Sequence, residues 1–280
     1  MGYKPSNPAS LMSLDSRHIG TFDVPFSTLL ERAVLNLREK SVVLFVRDPG
    51  GFHLSQYNDL YDCSRLLVPH LFDLLSLNGD PIAVPLARNG LVVAGSKDVG
   101  ALLAMAQFVE QQIETATRPI GYMPIILRDG EWRTFDLPEP ELGPLRELVA
   151  KQRLWDYEIQ REMIEAHFQK SQRDVYVGKL DAIKFEGRII SYTTWARNVL
   201  TLLPKADVVA IPPERGGLAL LRKWDDFFAV CGECLTDEGF YPTRYLTPPT
   251  MSEERLRRLE REFSIPEWWP PERDGVRHFK

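Results

Sequence analysis

Two tight turns constrain the fold of this chain more than any other feature. Ala87-Arg-Asn89, followed by Gly90, separates the runs Pro81 to Leu86 and Gly90 to Ala94, and Arg128-Asp-Gly-Glu131 separates Tyr122 to Leu127 from Trp132 to Phe135. Asn-Gly or Asp-Gly chemistry between two runs of β-branched and aromatic residues specifies a hairpin, because a tight turn of this kind needs positive φ at its centre. Hairpins make antiparallel neighbours, so the surrounding helices belong to a mixed α+β unit and not to a doubly wound sheet. Those helices are expected over Phe22 to Lys40, with Leu29, Ala33, Val34 and Leu37 on one face; after Asp62 or Ser64, through Leu66, Leu71 and Leu75; and over Ala101 to Glu114. Val42 to Val46 reads as a strand ended by Asp48-Pro-Gly-Gly51, and Phe52 to Ser55 as its short successor.

Past a proline-rich linker, Asp136 to Pro144, a long helix is expected over Leu145 to Gln172, and the pattern then begins again. VYVGKL and GRIIS read as strands, a short helix is expected from Thr193, and ADVVAIPPERGGLALL repeats the hairpin. With an offset of 127 residues, IAVPLARNGLV lies over VAIPPERGGLA, so that Pro85 meets Pro212, Arg88 meets Arg215 and Gly90 meets Gly217. The expected architecture is two similar mixed α/β units packed about a pseudo-twofold and joined by the long helix. Its boundaries are an irregular arm at 1–20, a first unit at 21–136, linker and helix at 137–172, a second unit at 173–250, and a C-terminal helix with a Trp/Pro-rich tail at 251–280.

Composition excludes several classes of function. A chain of 280 residues with 44% hydrophobic content buries roughly three quarters of its unfolded surface without needing metal or disulfide. Net charge is −5 with signs mixed along the chain, so no basic stripe awaits nucleic acid. No apolar run approaches the ~20 residues of a membrane span, and the first residues, with two prolines and a lysine, lack a signal-peptide core. Three cysteines do not form a disulfide framework, and a reducing cytoplasm is the expected compartment. The five histidines lack metal-ligand spacing, so neither a metal nor another cofactor is expected.

FSTLLERAVLNLREKS, NDLYDCSRLLVPHLFDLL, DPIAVPLARNGLVVAG and RPIGYMPIILRDGEW together resemble the C-terminal half of the YtpQ-like family, the domain of unknown function numbered 1444. The resemblance covers roughly residues 22 to 135, and its most specific piece is Tyr61-Asp62-Cys63-Ser64-Arg65. Cys63 replaces a small residue of the family pattern, and Asn89 stands where an acidic residue is common. The resemblance implies a bacterial cytosolic protein, and it implies no mechanism, because the family has no assigned activity.

Candidate chemistry concentrates in four places. Asp59, Tyr61, Asp62, Ser64 and Arg65 surround an expected helix start, where free N–H groups and a guanidinium can hold an anionic ligand; alternatively Asp62 is only a cap. Arg88 and Arg215, at matching turns, can clamp an anion or remain solvated. A hydrolase can be assembled on paper from Ser64 or Cys63 with His53 or His70 and Asp59, but no nucleophile elbow supports it. FFAVCGECL resembles a thioredoxin-type redox site at Cys231 and Cys234; the offset instead places both on a helix flank capped by Asp225. Trp268 and Trp269, in the tail behind the capping box Thr250-Met-Ser-Glu253, can bind a partner or dock the tail on its own unit. The expected function is non-catalytic protein binding, structural or regulatory, through a protein partner. The alternatives are an anionic-ligand sensor or hydrolase-like enzyme at Asp62, Ser64 and Arg65, and a thiol redox protein.

Overall fold

The computed structural model describes residues 19–22, 24–57, 59–113, 120–135, 142–214, 218–270 and the backbone of 277–279. The chain forms two compact units, residues 1–148 and 149–280, each of the α+β class.

In the first unit, α1 (Phe26–Glu39) leads into a sheet of β1 (Phe45–Arg47), β2 (His53–Ser55), β3 (Pro81–Ala87), β4 (Gly90–Gly95), β5 (Ile125–Arg128) and β6 (Glu131–Thr134). The spatial order is β1-β2-β4-β3-β5-β6, and every neighbouring pair is antiparallel. Both diagnostic turns close hairpins, and Asp129 and Gly130 take the positive φ values of 52° and 77° that the β5–β6 turn requires. One face of the sheet packs on α2 (Val99–Ile113), on Leu142, and on Leu145 and Leu148 in the first turns of the long helix α3 (Gly143–Ser171). The other face packs on Val68, Leu71 and Phe72, with Leu37, Val43 and Phe45 at its margin.

Where a helix was expected after Asp62, the chain makes two 3-10 segments, Cys63–Leu67 and Pro69–Leu74, broken at Val68. Pro69 disfavours helical geometry in the residue before it, and Val68 is accordingly at φ −125°, ψ 67°.

The second unit holds the rest of α3 and two sheets. Their strands are β7 (Tyr176–Val177), β8 (Leu180–Phe185), β9 (Arg188–Thr194), β10 (Thr201–Pro204), β11 (Val208–Ile211), β12 (Leu220–Lys223), β13 (Thr236–Asp237), β14 (Arg244–Thr247) and β15 (Arg277–Phe279). The order is β13-β14-β10-β7 in one sheet and β12-β11-β9-β8-β15 in the other. Helices α4 (Trp224–Cys231) and α5 (Glu253–Glu262) enclose a core of Trp195, Leu203, Val209, Phe227 and Leu259.

The halves share a hairpin followed by a helix, β3-β4-α2 against β11-β12-α4, and differ in how their other strands pair. The helix expected from Thr193 is absent: β9 runs through Thr194 and the following apolar run is β10, all four of whose residues are buried. A run covered on both faces carries no alternation, so spacing alone does not separate it from a helix. β11 pairs with β9, and β10 with β7, in parallel, an arrangement missing from the first sheet. At α5, Ser252 rather than Thr250 is the cap, its side chain accepting from the Arg255 N–H.

Candidate functional site

The densest polar constellation lies in the loop between β2 and β3. Arg65, fully buried, donates from both terminal nitrogens to Asp59, at 2.9 Å to Oδ1 and 2.7 Å to Oδ2, and lies 3.4 Å above the centre of the Tyr57 ring. This fork holds the Asp59 carboxyl below the usual carboxylate range, against the opposing effect of partial burial. Asp59 Oδ1 also accepts the Tyr61 N–H at 3.0 Å, and Asp62 Oδ1 accepts the Tyr57 N–H at 3.3 Å. Asp62 is therefore not a cap: it sits at φ −52°, ψ −51° with no capping bond to the turn behind it.

Cys63 fastens the same loop to the β3–β4 turn. Its thiol donates to the Ala87 carbonyl at 2.8 Å, and its N–H donates to the Arg88 carbonyl at 3.4 Å. Burial, reinforced by Asp62, pushes the thiol up to about 12, so it remains protonated and unreactive at neutral pH. His53 is buried on β2, its basicity lowered by burial and by Arg47, whereas His70 is exposed; no hydrogen bond joins either to Ser64 or Cys63. Asp62 Oδ2 and Arg65 Nε are buried without a hydrogen-bond partner. Arg88 is exposed at its turn, while Arg215 lies outside the described residues.

The expected ligand residues thus divide. Asp59, Asp62 and Arg65 turn inward and hold the loop, while Tyr61 and Ser64 turn outward. With Leu67 and the α1 residues Leu30, Ala33, Val34 and Leu37, those two line an apolar groove of about 350 Å³. Asn36 and Lys40 line it too, and the rest of its lining suits apolar contact.

The Cys231 and Cys234 pair is not arranged for redox chemistry. Cys231 is the last residue of α4, at the negative end of the helix dipole, and burial pushes its thiol up to about 12. A thioredoxin-type thiol needs the opposite end. Cys234, in the 3-10 turn Gly232–Cys234, donates its thiol to the Cys231 carbonyl at 2.9 Å. Asp225 is in the first turn of α4, not at its cap, because β12 runs straight into the helix through Lys223. Trp268 and Trp269 pack beside Ile183, Ile190 and Val208, with the Trp269 ring edge-on to Tyr192 at 6.1 Å, so the pair docks within its own unit.

Two features escaped the sequence reading. The first is Arg244, fully buried in the second unit with no carboxylate in its shell. It donates to Gln160 Oε1 (2.6 Å) and to the carbonyls of Gly178 (2.6 Å), Leu202 (3.2 Å) and Tyr157 (3.0 Å), and burial pushes it down to about 10. The second is the surface around β1. There Val42, Leu44 and Val46 are 70%, 47% and 55% exposed, and Phe26 and Leu30 of α1 are also exposed. The unbroken apolar run VVLFV is the signal that could have marked it, since a strand apolar on both faces exposes one of them unless both are covered.

Among the described residues no cluster of His, Cys, Asp and Glu is arranged for a metal, and no helix is long and apolar enough to cross a membrane. No protein-family model, curated protein or solved structure matches the chain. The likeness of residues 22 to 135 to the YtpQ-like family therefore rests on the motifs quoted above.

Proposed function

We propose that this chain is a non-catalytic binding protein whose working surface is the apolar side of the first unit, formed by α1 and the approach to β1. One observation carries the reading: α1 has no buried residue, although its sequence is amphipathic, and Val42, Leu44 and Val46 are exposed as well. Apolar side chains left exposed in this number cost solubility and are retained where a protein docks. The polar residues that a catalytic reading would use support the same conclusion, because Arg65, Asp59 and Cys63 are spent on holding the loop.

The test is comparative capture from the source cell with the wild-type chain and with Leu30→Glu/Val46→Lys. Both changes lie on exposed positions and leave the core intact. The reading expects a defined set of retained proteins to be lost with the variant. An identical set from both chains would place the binding surface elsewhere.

A further inference from the structure

The two edges of the six-stranded sheet are built differently. β6 ends it with Glu-Trp-Arg-Thr; Glu131, Arg133 and Thr134 are exposed, and Arg133 pairs with Glu131 at 3.1 Å. Charged side chains on a short edge are the usual protection against edge-to-edge pairing. β1, at the other end, carries a single charge, Arg47 at its last position, and the run Val42 to Val46 leading into it has none. The open side of its backbone follows from its bonds to β2. The Leu44 carbonyl accepts from the Gln56 N–H, and the Asp48 N–H donates to the Phe52 carbonyl, with Val46 opposite Leu54. Residues 44, 46 and 48 therefore bond inward, and the N–H and C=O groups of Val43, Phe45 and Arg47 face away from the sheet.

We propose that two copies of this chain pair through β1, antiparallel about a twofold at Leu44, continuing the sheet from one copy into the other. The proposal rests on the functional reading above and names the partner of that surface. The run Val42-Val-Leu-Phe-Val46 is close to complementary with its own reverse. In this register Val43 and Phe45 exchange backbone bonds with Phe45 and Val43 of the other copy. Val42 meets Val46 and Leu44 meets itself, an apolar ladder with no charge inside it, while Lys40, the C-cap of α1, lies outside it. The neighbouring registers that also pair outward groups, centred on Val43, Phe45 or Val46, set Lys40 against Val46, Val42 against Asp48, or Leu44 against Asp48; of the four, only the one centred on Leu44 keeps apolar against apolar from Val42 to Val46. Because the contact is isologous, it closes at two copies.

Sedimentation over a range of chain concentrations tests this. The wild type is expected at twice the 32.1 kDa chain mass. Leu44→Lys, which sets two lysines against each other on the axis, is expected to weaken association by about tenfold or more. Val42→Lys, which faces Val46 of the other copy and not itself, is expected to weaken it less. Arg133→Ala on the opposite edge leaves the mass unchanged, and the thermal midpoint of Leu44→Lys as a monomer establishes that it is folded. A wild type that stays at the chain mass at every concentration, one that assembles beyond two copies, or a Leu44→Lys variant that associates like the wild type overturns the pairing. If the wild type is monomeric while the capture difference of Leu30→Glu/Val46→Lys persists, the surface binds another protein and only the pairing fails; if that difference is also missing, the functional reading fails with it.

Discussion

Arg65 and Leu44 belong to the same unit and reverse the usual placement of charge outside and apolar side chains inside. The guanidinium is fully buried over the Tyr57 ring, while the leucine is nearly half exposed on an edge strand. What separates them is what each has to bond with. Arg65 has a carboxylate and an aromatic face within its own loop; Leu44 is left only about half covered. The contrast teaches that the polar motif most suggestive of chemistry is structural, and that the plain apolar strand is the part left open.

The largest effect that could break this contrast is at the polar cluster. Asp59→Ala strands a buried guanidinium and is expected to cost about 3 kcal/mol or more, read from denaturant unfolding. Arg65→Met keeps most of the volume and leaves Asp59, whose side chain is 36% exposed, to be hydrated; about 1–2 kcal/mol is expected. Equal costs, or a larger one for Arg65→Met, would mean that the pair is not held as described. Both variants should still associate as the wild type does once folded, because neither touches β1.

A smaller effect comes with acid. Asp59 is held below the ordinary carboxylate range by Arg65, so its stabilising contribution is complete above about pH 4 and is lost as pH falls through that range and then through its lowered folded value. The wild type should therefore lose stability faster than Arg65→Met as the pH drops below about 4. Parallel profiles would show that the pair contributes nothing to folding.

The sequence was informative where the controlling physics is local. Asp129-Gly130 names its own turn, and the long helix expected over Leu145 to Gln172 runs over Gly143–Ser171, although Trp155, Ile159 and Met163, which its apolar spacing would bury, are exposed. It misled where a local signal met a competitor. Asp62 looked like a helix cap, but Pro69 breaks the segment that it would have capped. Thr201 to Pro204 looked helical because a strand buried on both faces shows no period. Arg244 could not be read at all: its acceptors are donated by residues 42 to 87 positions away. The open edge was hidden for a related reason. SVVLFV is legible as a strand, but that it ends the sheet depends on which strands pair, and β2 turns to β4 only after the long loop that Arg65 holds.

Amide hydrogen exchange on the full chain, compared at low and high concentration, tests the central claim most directly. The amides of Val43, Phe45 and Arg47 point along the open edge, and the account predicts that they become protected as concentration rises while Trp132 to Thr134 on β6 do not change. Exchange at Val43, Phe45 and Arg47 that is equally fast at both concentrations would contradict it.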